Sequence, residues 1–284
     1  MSPETFALVL ALAAGLCVGS FINVVVHRLP KMLEQRWRDD CRALDHPDEP
    51  PPAREPFDLA RPASTCPHCG HRIRWHENIP VFGWLRLRGR CSACQGAISK
   101  RYPLVEATTG LISLLVVWWL GAGWYAVAAL FFAWALIALT LIDYDTQLLP
   151  DDITLPLLWL GLLVAIPAGG LSVKDAVIGA AAGYMTLWTV YQGFRLATGK
   201  EGMGFGDFKL LAAIGAWVGW QKLALVIVLS SGVGALIGIA LIAIAGRDRA
   251  KPIPFGPFLA VAGLLAFLFG NTLLNGPLSM FRMG

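Results

Sequence analysis

The chain has 284 residues, of which 56% are apolar and 15% are charged, and its net charge at pH 7 is +4. Soluble domains carry about 25% charged residues, so this composition excludes an ordinary soluble protein. The small positive charge reflects the placement of basic residues around apolar segments, and it does not indicate nucleic-acid binding.

The first apolar segment covers about residues 5–26 and predicts a membrane helix, since about 20 apolar residues cross a bilayer. A cleaved signal peptide would carry basic residues before its apolar run. Here Arg28 and Lys31 follow the run, which favours a retained helix, residues 1–27, with its N-terminus outside the cell.

A polar insert, residues 28–102, separates this helix from the remainder of the chain. Residues 39–62 mix charge with proline, including three prolines from Pro50 onward. Such a stretch cannot bury a core and predicts an extended linker. Residues 103–284 are predicted to form the membrane body.

Four cysteines of the insert form two Cys-x-x-Cys pairs, Cys66/Cys69 and Cys91/Cys94. Each pair supplies two thiolates from one tight turn, and two such turns close a tetrahedral zinc site. A site of four sulfurs leaves no open coordination position, so the zinc would be structural. The alternatives are thiols without metal, redox pairs, or a mixed site. The histidines near enough in sequence for a mixed site are His68, His71 and His76.

Basic and aromatic residues alternate between the two cysteine pairs, from Asn78 to Arg90. This pattern is typical either of a zinc-ribbon hairpin whose arginines face anionic lipid, or of a substrate or cofactor surface. The residues alone do not separate the two interpretations.

Seven more apolar segments follow the insert. The chain is therefore predicted to be an α-helical polytopic membrane protein with about eight transmembrane helices and a cytoplasmic zinc-ribbon-like insert between helices 1 and 2. The sixth helix is the weakest prediction, because it is short and contains Asp207 and Lys209. The seven segments lie near 103–121, 123–142, 153–170, 174–195, 207–221, 223–245 and 255–273.

The basic residues set the orientation. With the insert inside the cell, 20 of the 23 Lys and Arg residues lie on the inner side. This asymmetry follows the positive-inside rule and favours an even number of spans. The inner set includes Arg247, Arg249 and Lys251, and the outer set is Lys174, Lys222 and Arg282.

Acidic residues cluster where the third apolar segment ends. Asp143 follows an unbroken apolar run, and an ionisable residue at membrane depth is a functional candidate. Asp145, two residues later, points to the opposite side of a helix. Pro150 stops the helix, so Asp151 and Asp152 are expected to cap the next one.

A second acid, Asp207, opens the sixth segment after three alternating glycines, Gly202, Gly204 and Gly206. Glycine permits close backbone approach and unusual dihedral angles. An irregular helix start at membrane depth is tolerated only where protein or a wet cavity surrounds it. A plain helix N-cap is the alternative interpretation of Asp207.

Topology brings the two acids together. Asp143 ends an outside-to-inside helix and Asp207 begins an inside-to-outside helix, so both are expected at the same cytoplasmic depth. Two carboxylates in one partly dry site share a proton. Such a pair can hydrolyse a peptide by acid–base catalysis. A transporter that relays protons or cations through Asp143 and Asp207 is the main alternative, and a scaffold that docks through its zinc ribbon is another.

These features together resemble the type IV prepilin peptidases, bacterial members of the GxGD aspartyl protease class. The resemblance rests on Gly204-Phe-Gly206-Asp207, on Asp143 within the segment that ends at Asp151, and on the four cysteines. The segments Gly19–Pro30 and Pro252–Pro257 also resemble family segments.

The resemblance implies a bacterial inner-membrane enzyme that cleaves the basic leader of type IV prepilins and type II secretion pseudopilins on the cytoplasmic side. It implies Asp143 and Asp207 as catalytic residues, with Gly204 and Gly206 as support. It also implies methylation of the new N-terminus with S-adenosylmethionine, in a region that includes Gly89 and Arg90.

A basic leader suggests its own contacts. The acids Asp145, Asp151 and Asp152 lie at the same membrane surface, and opposite charges there would attract a cationic segment. We expect these three residues to contact the leader. Membrane lipids are the other expected partners, and nucleic acid is not.

Overall fold

The computed structural model describes residues 2–49, 55–167, 170–245 and 253–275. The chain divides into two compact units, Met1–Leu130 and Phe131–Gly284. Within the described residues every regular element is helical, which confirms the predicted class. The helices are α1 (Pro3–Asp45), α2 (Phe82–Arg86), α3 (Arg101–Leu120), α4 (Trp124–Thr146), α5 (Asp151–Val164), α6 (Val173–Thr198), α7 (Phe205–Val218), α8 (Leu223–Ala245) and α9 (Gly256–Asn275), with a 3₁₀ turn at Trp220–Lys222.

Some predicted features lie outside the described residues. These are the prolines at positions 50–52 and the basic residues Arg247, Arg249, Lys251 and Arg282.

Among the described residues, five helical segments are long and apolar enough to cross a membrane, judged by length and composition. They are α1, α3, α4, α9 and the segment Trp220–Ala240. Each of the eight predicted segments contains a helix, but α6 does not meet this criterion, and α5 and α7 have only 14 residues each. At 1.5 Å per residue a 14-residue helix is about 21 Å long, which is shorter than the hydrocarbon layer of about 30 Å. The count of eight full spans is therefore not reached by this criterion.

Helix α1 is longer than predicted. Ser2 caps it by accepting the N–H of Thr5 at 3.2 Å, and it continues for 43 residues through Pro30. The ion pair of Glu34 and Arg38, at 2.6 Å and one turn apart, supports its polar half. Residues 39–45 are therefore helical, so the prediction of an extended linker from residue 39 is wrong there. The first helix also does not end at residue 27.

Close helix packing organises the first unit. A Cβ atom added to Gly19 of α1 would lie 2.7 Å from the Cα of Glu106 in α3, and one added to Gly15 would lie 2.7 Å from the Cβ of Ser113. Only residues without side chains allow backbones to approach so closely. The packing buries the carboxylate of Glu106, which is 7% exposed.

The core of the second unit is α7, whose residues 210–218 are all buried. The indole N–H of Trp217 donates to the carbonyl of Leu157 in α5 at 2.9 Å. On another side α6 approaches closely, because a Cβ on Gly179 would lie 2.9 Å from the carbonyl carbon of Gly215. The weakest predicted span is therefore an internal helix that its neighbours hold in place.

Candidate active site and metal centre

Asp143 lies in the last turns of α4 and is only 5% exposed. Its Oδ2 accepts the backbone N–H of Gly256 at 2.9 Å. Gly256 is the first residue of α9, where backbone N–H groups have no partner within the helix and favour a negative charge. The Asp143 carboxylate therefore accepts a hydrogen bond from a free N–H at the start of a helix that is 113 residues away in sequence.

The sequence resembles the family over the segment Pro252–Pro257, but it predicts no separate role for Gly256. A Cβ atom at this position would lie 2.6 Å from Oδ2 of Asp143. Real Cβ atoms do not come so close, so the contact requires glycine. A glycine between prolines at a helix start was the available signal, but its partner could not be read from sequence.

Asp207 is the third residue of α7 and is partly buried. The helix begins without strain, since its N-cap Gly204 has φ −83° and ψ 150°. A Cβ on Gly204 would meet nothing within 4 Å, whereas one on Gly206 would lie 2.8 Å from the Cβ of Leu149. The expected irregular helix start is thus absent from the described residues 202–207. Of the two motif glycines, close approach explains only Gly206.

The two carboxylates share one site. Leu149, in the loop between α4 and α5, packs beside two glycines, one next to Asp207 in the chain and one that donates its N–H to Asp143. It borders Gly206, and a Cβ on Gly256 would lie 3.2 Å from its Cδ2. The structure therefore brings together the starts of two helices, the end of a third, and both predicted aspartates.

Aromatic rings surround the start of α7. The Phe205 and Phe208 rings lie 5.3 Å apart, and the Tyr191 ring of α6 lies 5.5 Å and 5.6 Å from them, respectively. Phe208 is fully buried, while Phe205 is 53% exposed. Aromatic rings therefore cover one side of the helical turn that contains Asp207, and of these rings Phe205 is exposed at the protein surface.

The other predicted acids have different surroundings. Asp145 and Asp152 are exposed. Asp151, the first residue of α5, accepts two hydrogen bonds from the Lys209 ammonium, at 2.8 Å and 2.6 Å. The charge of Asp151 is therefore balanced within the protein.

The four predicted cysteine ligands converge in the first unit. Their sulfur atoms all lie within 4.8 Å of one another, and the Sγ atoms of Cys66 and Cys94 are 3.8 Å apart. A tetrahedral zinc ion with Zn–S bonds of about 2.3 Å separates its sulfurs by about 3.8 Å. The donor set and its spacing therefore fit zinc.

Backbone N–H groups stabilise the thiolate form of two of the four cysteines, the form that binds a metal cation. The N–H groups of His68 and Cys69 point at the Cys66 sulfur and lower the pKa of that thiol to about 7. The N–H groups of Cys94 and Ala93 lower the pKa of Cys91 in the same way. Antiparallel bridges, Thr65 with Arg72 and Arg90 with Ala97, close the two loops.

The group of described residues that could hold a metal contains no histidine. His71 instead places its Nε2 atom 3.3 Å from Oε2 of Glu77. Hydrogen bonds from Ser92 and from the N–H of Arg74 lower the pKa of Glu77 to about 2. The mixed Cys/His alternative therefore gains no support.

In the region expected to serve methylation, the local backbone and packing explain why residue 89 is glycine. Gly89 has φ +69°, in the left-handed region that favours glycine, and a Cβ there would lie 2.7 Å from the ring of Trp84. Arg90 is exposed. These two residues alone do not form a binding site for adenosylmethionine.

These features define the class of the protein: it is a helical membrane protein with a pair of aspartates in one site and a cluster of four cysteines. Comparison with known proteins identifies the family within this class. Residues 13–120 match the bacterial peptidase A24 N-terminal domain, and residues 130–239 match the type IV leader peptidase family. The chain belongs to the type IV leader peptidase family.

Curated relatives agree with this assignment. The chain is 54% identical to a prepilin leader peptidase/N-methyltransferase of Aeromonas hydrophila, over 94% of this chain and 92% of the relative. It is 52% identical to a protein of the same name from Stutzerimonas stutzeri, over 99% and 97% of the two chains. A Pseudomonas aeruginosa protein of that name is 54% identical, over 90% and 88%. No solved structure matches the chain.

Proposed function

We propose that this chain is a membrane aspartyl endopeptidase that removes the leader of prepilins and pseudopilins and then methylates the new N-terminus. The family and the names of its relatives support the substrate and both activities. The structural observation that carries the peptidase activity is the shared site of Asp143 and Asp207. The transporter alternative receives no support from the comparisons.

The two carboxylates work as one ionised and one protonated group. The ionised one takes a proton from water as the water oxygen attacks the scissile carbonyl carbon. The protonated one gives its proton to the carbonyl oxygen, which yields a tetrahedral diol. When the C–N bond breaks, the proton taken from water passes to the leaving nitrogen, and one diol hydroxyl returns its proton to the other carboxylate. Both aspartates regain their starting states, and no covalent enzyme intermediate forms.

The N–H of Gly256 holds one oxygen of Asp143 in place. The other oxygen of Asp143 is then oriented for the reaction, because the hydrogen bond restricts rotation of the carboxylate. Leu149, beside Gly206, and the buried ring of Phe208, next to Asp207 in the chain, add apolar surface near the pair.

For the topology we propose eight membrane-embedded helices, α1 and α3–α9, in the bacterial inner membrane. The cysteine insert and both aspartates then face the cytoplasm, as the basic residues predict. The two 14-residue helices, α5 and α7, would cross only part of the layer. Both start on the cytoplasmic side, beside the site.

A zinc ion held by Cys66, Cys69, Cys91 and Cys94 would fix the fold of the insert. A closed four-sulfur site supplies no chemistry to the reaction. Methylation with S-adenosylmethionine is proposed from the relatives' names. Gly89 and Arg90 are proposed only as part of the surface near that activity.

We propose Asp145, Asp151 and Asp152, which are exposed where α4 ends and α5 begins, as leader contacts. Asp151 is also paired with Lys209. A cationic leader would be attracted to exposed acids at this surface.

The test is cleavage of a synthetic prepilin by purified protein, followed by mass spectrometry with adenosylmethionine present. Asp143→Asn and Asp207→Asn should abolish cleavage, while Asp145→Asn should retain it. Equal cleavage by all variants would refute the paired-aspartate mechanism. A methyl group on the new N-terminus would establish the second activity, and cleavage without it would leave a peptidase alone.

A further inference from the structure

Helix α2 turns its apolar side chains outward. Phe82 is 65% exposed and Leu85 is 56% exposed, while Gly83 between them is buried. Residues three apart share one face of a helix, so Phe82 and Leu85 form one exposed apolar surface. A soluble fold would turn this face inward, so its exposure indicates a partner.

Unpaired arginines border this surface. Arg86 lies on the same helix face as Phe82, one turn later, and Arg88 follows α2 in the chain; both are exposed. In the part of the chain that the structure describes, neither guanidinium is in an ion pair. Phe82, Leu85, Arg86 and Arg88 are called the α2 surface below.

A buried hydrogen bond fixes the depth of α2. The N–H of Val81, the residue before the helix, donates to Oε2 of Glu106 at 2.7 Å. Glu106 lies five residues into α3, which begins at Arg101, or about 7.5 Å along its axis. Because α3 is a candidate span of 20 residues, about 30 Å long, its first turns are expected at the boundary between headgroups and hydrocarbon. The α2 surface lies at that level.

We propose that the α2 surface is an interfacial anchor that binds the anionic leaflet of the same membrane. Phe82 and Leu85 enter the acyl boundary, and Arg86 and Arg88 meet lipid phosphates. An apolar face with basic flanks at this depth matches the chemistry of a negatively charged lipid surface. The proposal rests on the cytoplasmic placement of the insert given above.

The anchor gives the insert a second attachment to the membrane, besides the helices at its two ends. It would hold the cysteine loops near the membrane surface. This position also accounts for the outward turn of an apolar helix that is only five residues long.

Spin-label depth measurements test the anchor in the full-length protein. A nitroxide is placed at Leu85→Cys, and in a second protein at Phe82→Cys, with Cys17→Ser and Cys41→Ser to remove the free thiols outside the metal cluster. The protein is reconstituted in nanodiscs of phosphatidylglycerol or of phosphatidylcholine. Collision rates with oxygen and with a water-soluble nickel chelate report the depth. The Cys17→Ser, Cys41→Ser protein without an added cysteine measures how much nitroxide attaches at unintended positions.

Leu44→Cys is the matched control. Leu44 is an apolar residue that is 83% exposed near the end of α1, about 27 Å along the helix from residue 26. We expect its label to collide freely with the nickel chelate. The labels at positions 82 and 85 should be several-fold less accessible to nickel and more accessible to oxygen in phosphatidylglycerol.

Arg86→Glu with Arg88→Glu should bring the label at position 85 toward water in phosphatidylglycerol. Equal nickel access at positions 44 and 85 would overturn the anchor. Protection from both reagents would also overturn it, since protein would then cover the surface. A depth that does not depend on lipid charge would overturn the role of the arginines. Cleavage assayed on the same samples tests the proposed activity separately, because depth is measured whether or not the enzyme is active.

Discussion

Replacing Gly256 with alanine tests how the active site is held. The added Cβ would lie 2.6 Å from Oδ2 of Asp143, so either the carboxylate or the start of α9 must move. Movement breaks the 2.9 Å hydrogen bond from the Gly256 N–H. A hydrogen bond to a charged group contributes about 1.5–3 kcal/mol.

If that free energy is lost in the transition state, kcat should fall by about 10- to 150-fold, since 1.36 kcal/mol corresponds to a factor of ten. KM should change little, because Gly256 contacts the carboxylate and not the bound leader. The assay is steady-state cleavage of a prepilin peptide in detergent, with thermal unfolding measured on the same samples.

Gly232→Ala is the control, because a Cβ at that position in α8 meets nothing within 4 Å. It should retain wild-type kcat. If Gly256→Ala also keeps kcat within about twofold, a loss below about 0.4 kcal/mol, then the N–H contact does not orient Asp143. A fall in kcat that parallels a fall in folded fraction would contradict the reasoning as well.

Four further substitutions test three other parts of the structure. Lys209→Met and Asp151→Asn should each lower the free energy of unfolding by up to about 1 kcal/mol with kcat unchanged, because they break a partly exposed ion pair; opposite changes in KM would show that both charges also act on the leader. Cys91→Ser should remove bound zinc, measured by elemental analysis, whereas Asp143→Asn should retain it; zinc retained in Cys91→Ser would contradict the four-sulfur site. Gly179→Leu should lower the melting temperature, because overpacking costs about 1–3 kcal/mol and the side chain would meet the backbone of Gly215, while Gly193→Ala, in open space, should not.

Much of this arrangement follows from local chemical signals. Apolar segments of membrane length predicted the helices, and Cys-x-x-Cys spacing predicted the sulfur cluster. The pairing of Asp143 with Asp207 followed from counting membrane crossings, which fixes depth without any knowledge of packing. These signals suffice because each depends on composition or order along the chain.

Other features depend on contacts that the chain order does not encode. Gly256 reaches Asp143 across 113 residues, and Lys209 reaches Asp151 across 58. No sequence pattern around Gly256 or Lys209 identifies the residue that each of them contacts. The extension of α1 could have been found, because Glu34 and Arg38 have the spacing of a helical ion pair, but the mixed charge and prolines of residues 39–62 favoured a linker.

The family match and the structure divide the chain at nearly the same place. One family segment ends at residue 120 and the next begins at residue 130, while the compact units meet between Leu130 and Phe131. In the part of the chain that the structure describes, Gly256 donates its N–H to Asp143 and Leu149 lies beside Gly206 and Gly256, and all of these residues belong to the second unit. The sulfur cluster belongs to the first.

This division constrains what zinc can do. Since the described hydrogen bond to Asp143 is made within the second unit, loss of zinc does not remove this contact. A disordered insert could still fail to present the leader, which would appear as a higher KM. We therefore expect Cys91→Ser to raise KM far more than it lowers kcat for cleavage. A loss of kcat at saturating substrate, in protein that remains folded, would mean that the first unit takes part in the chemical step.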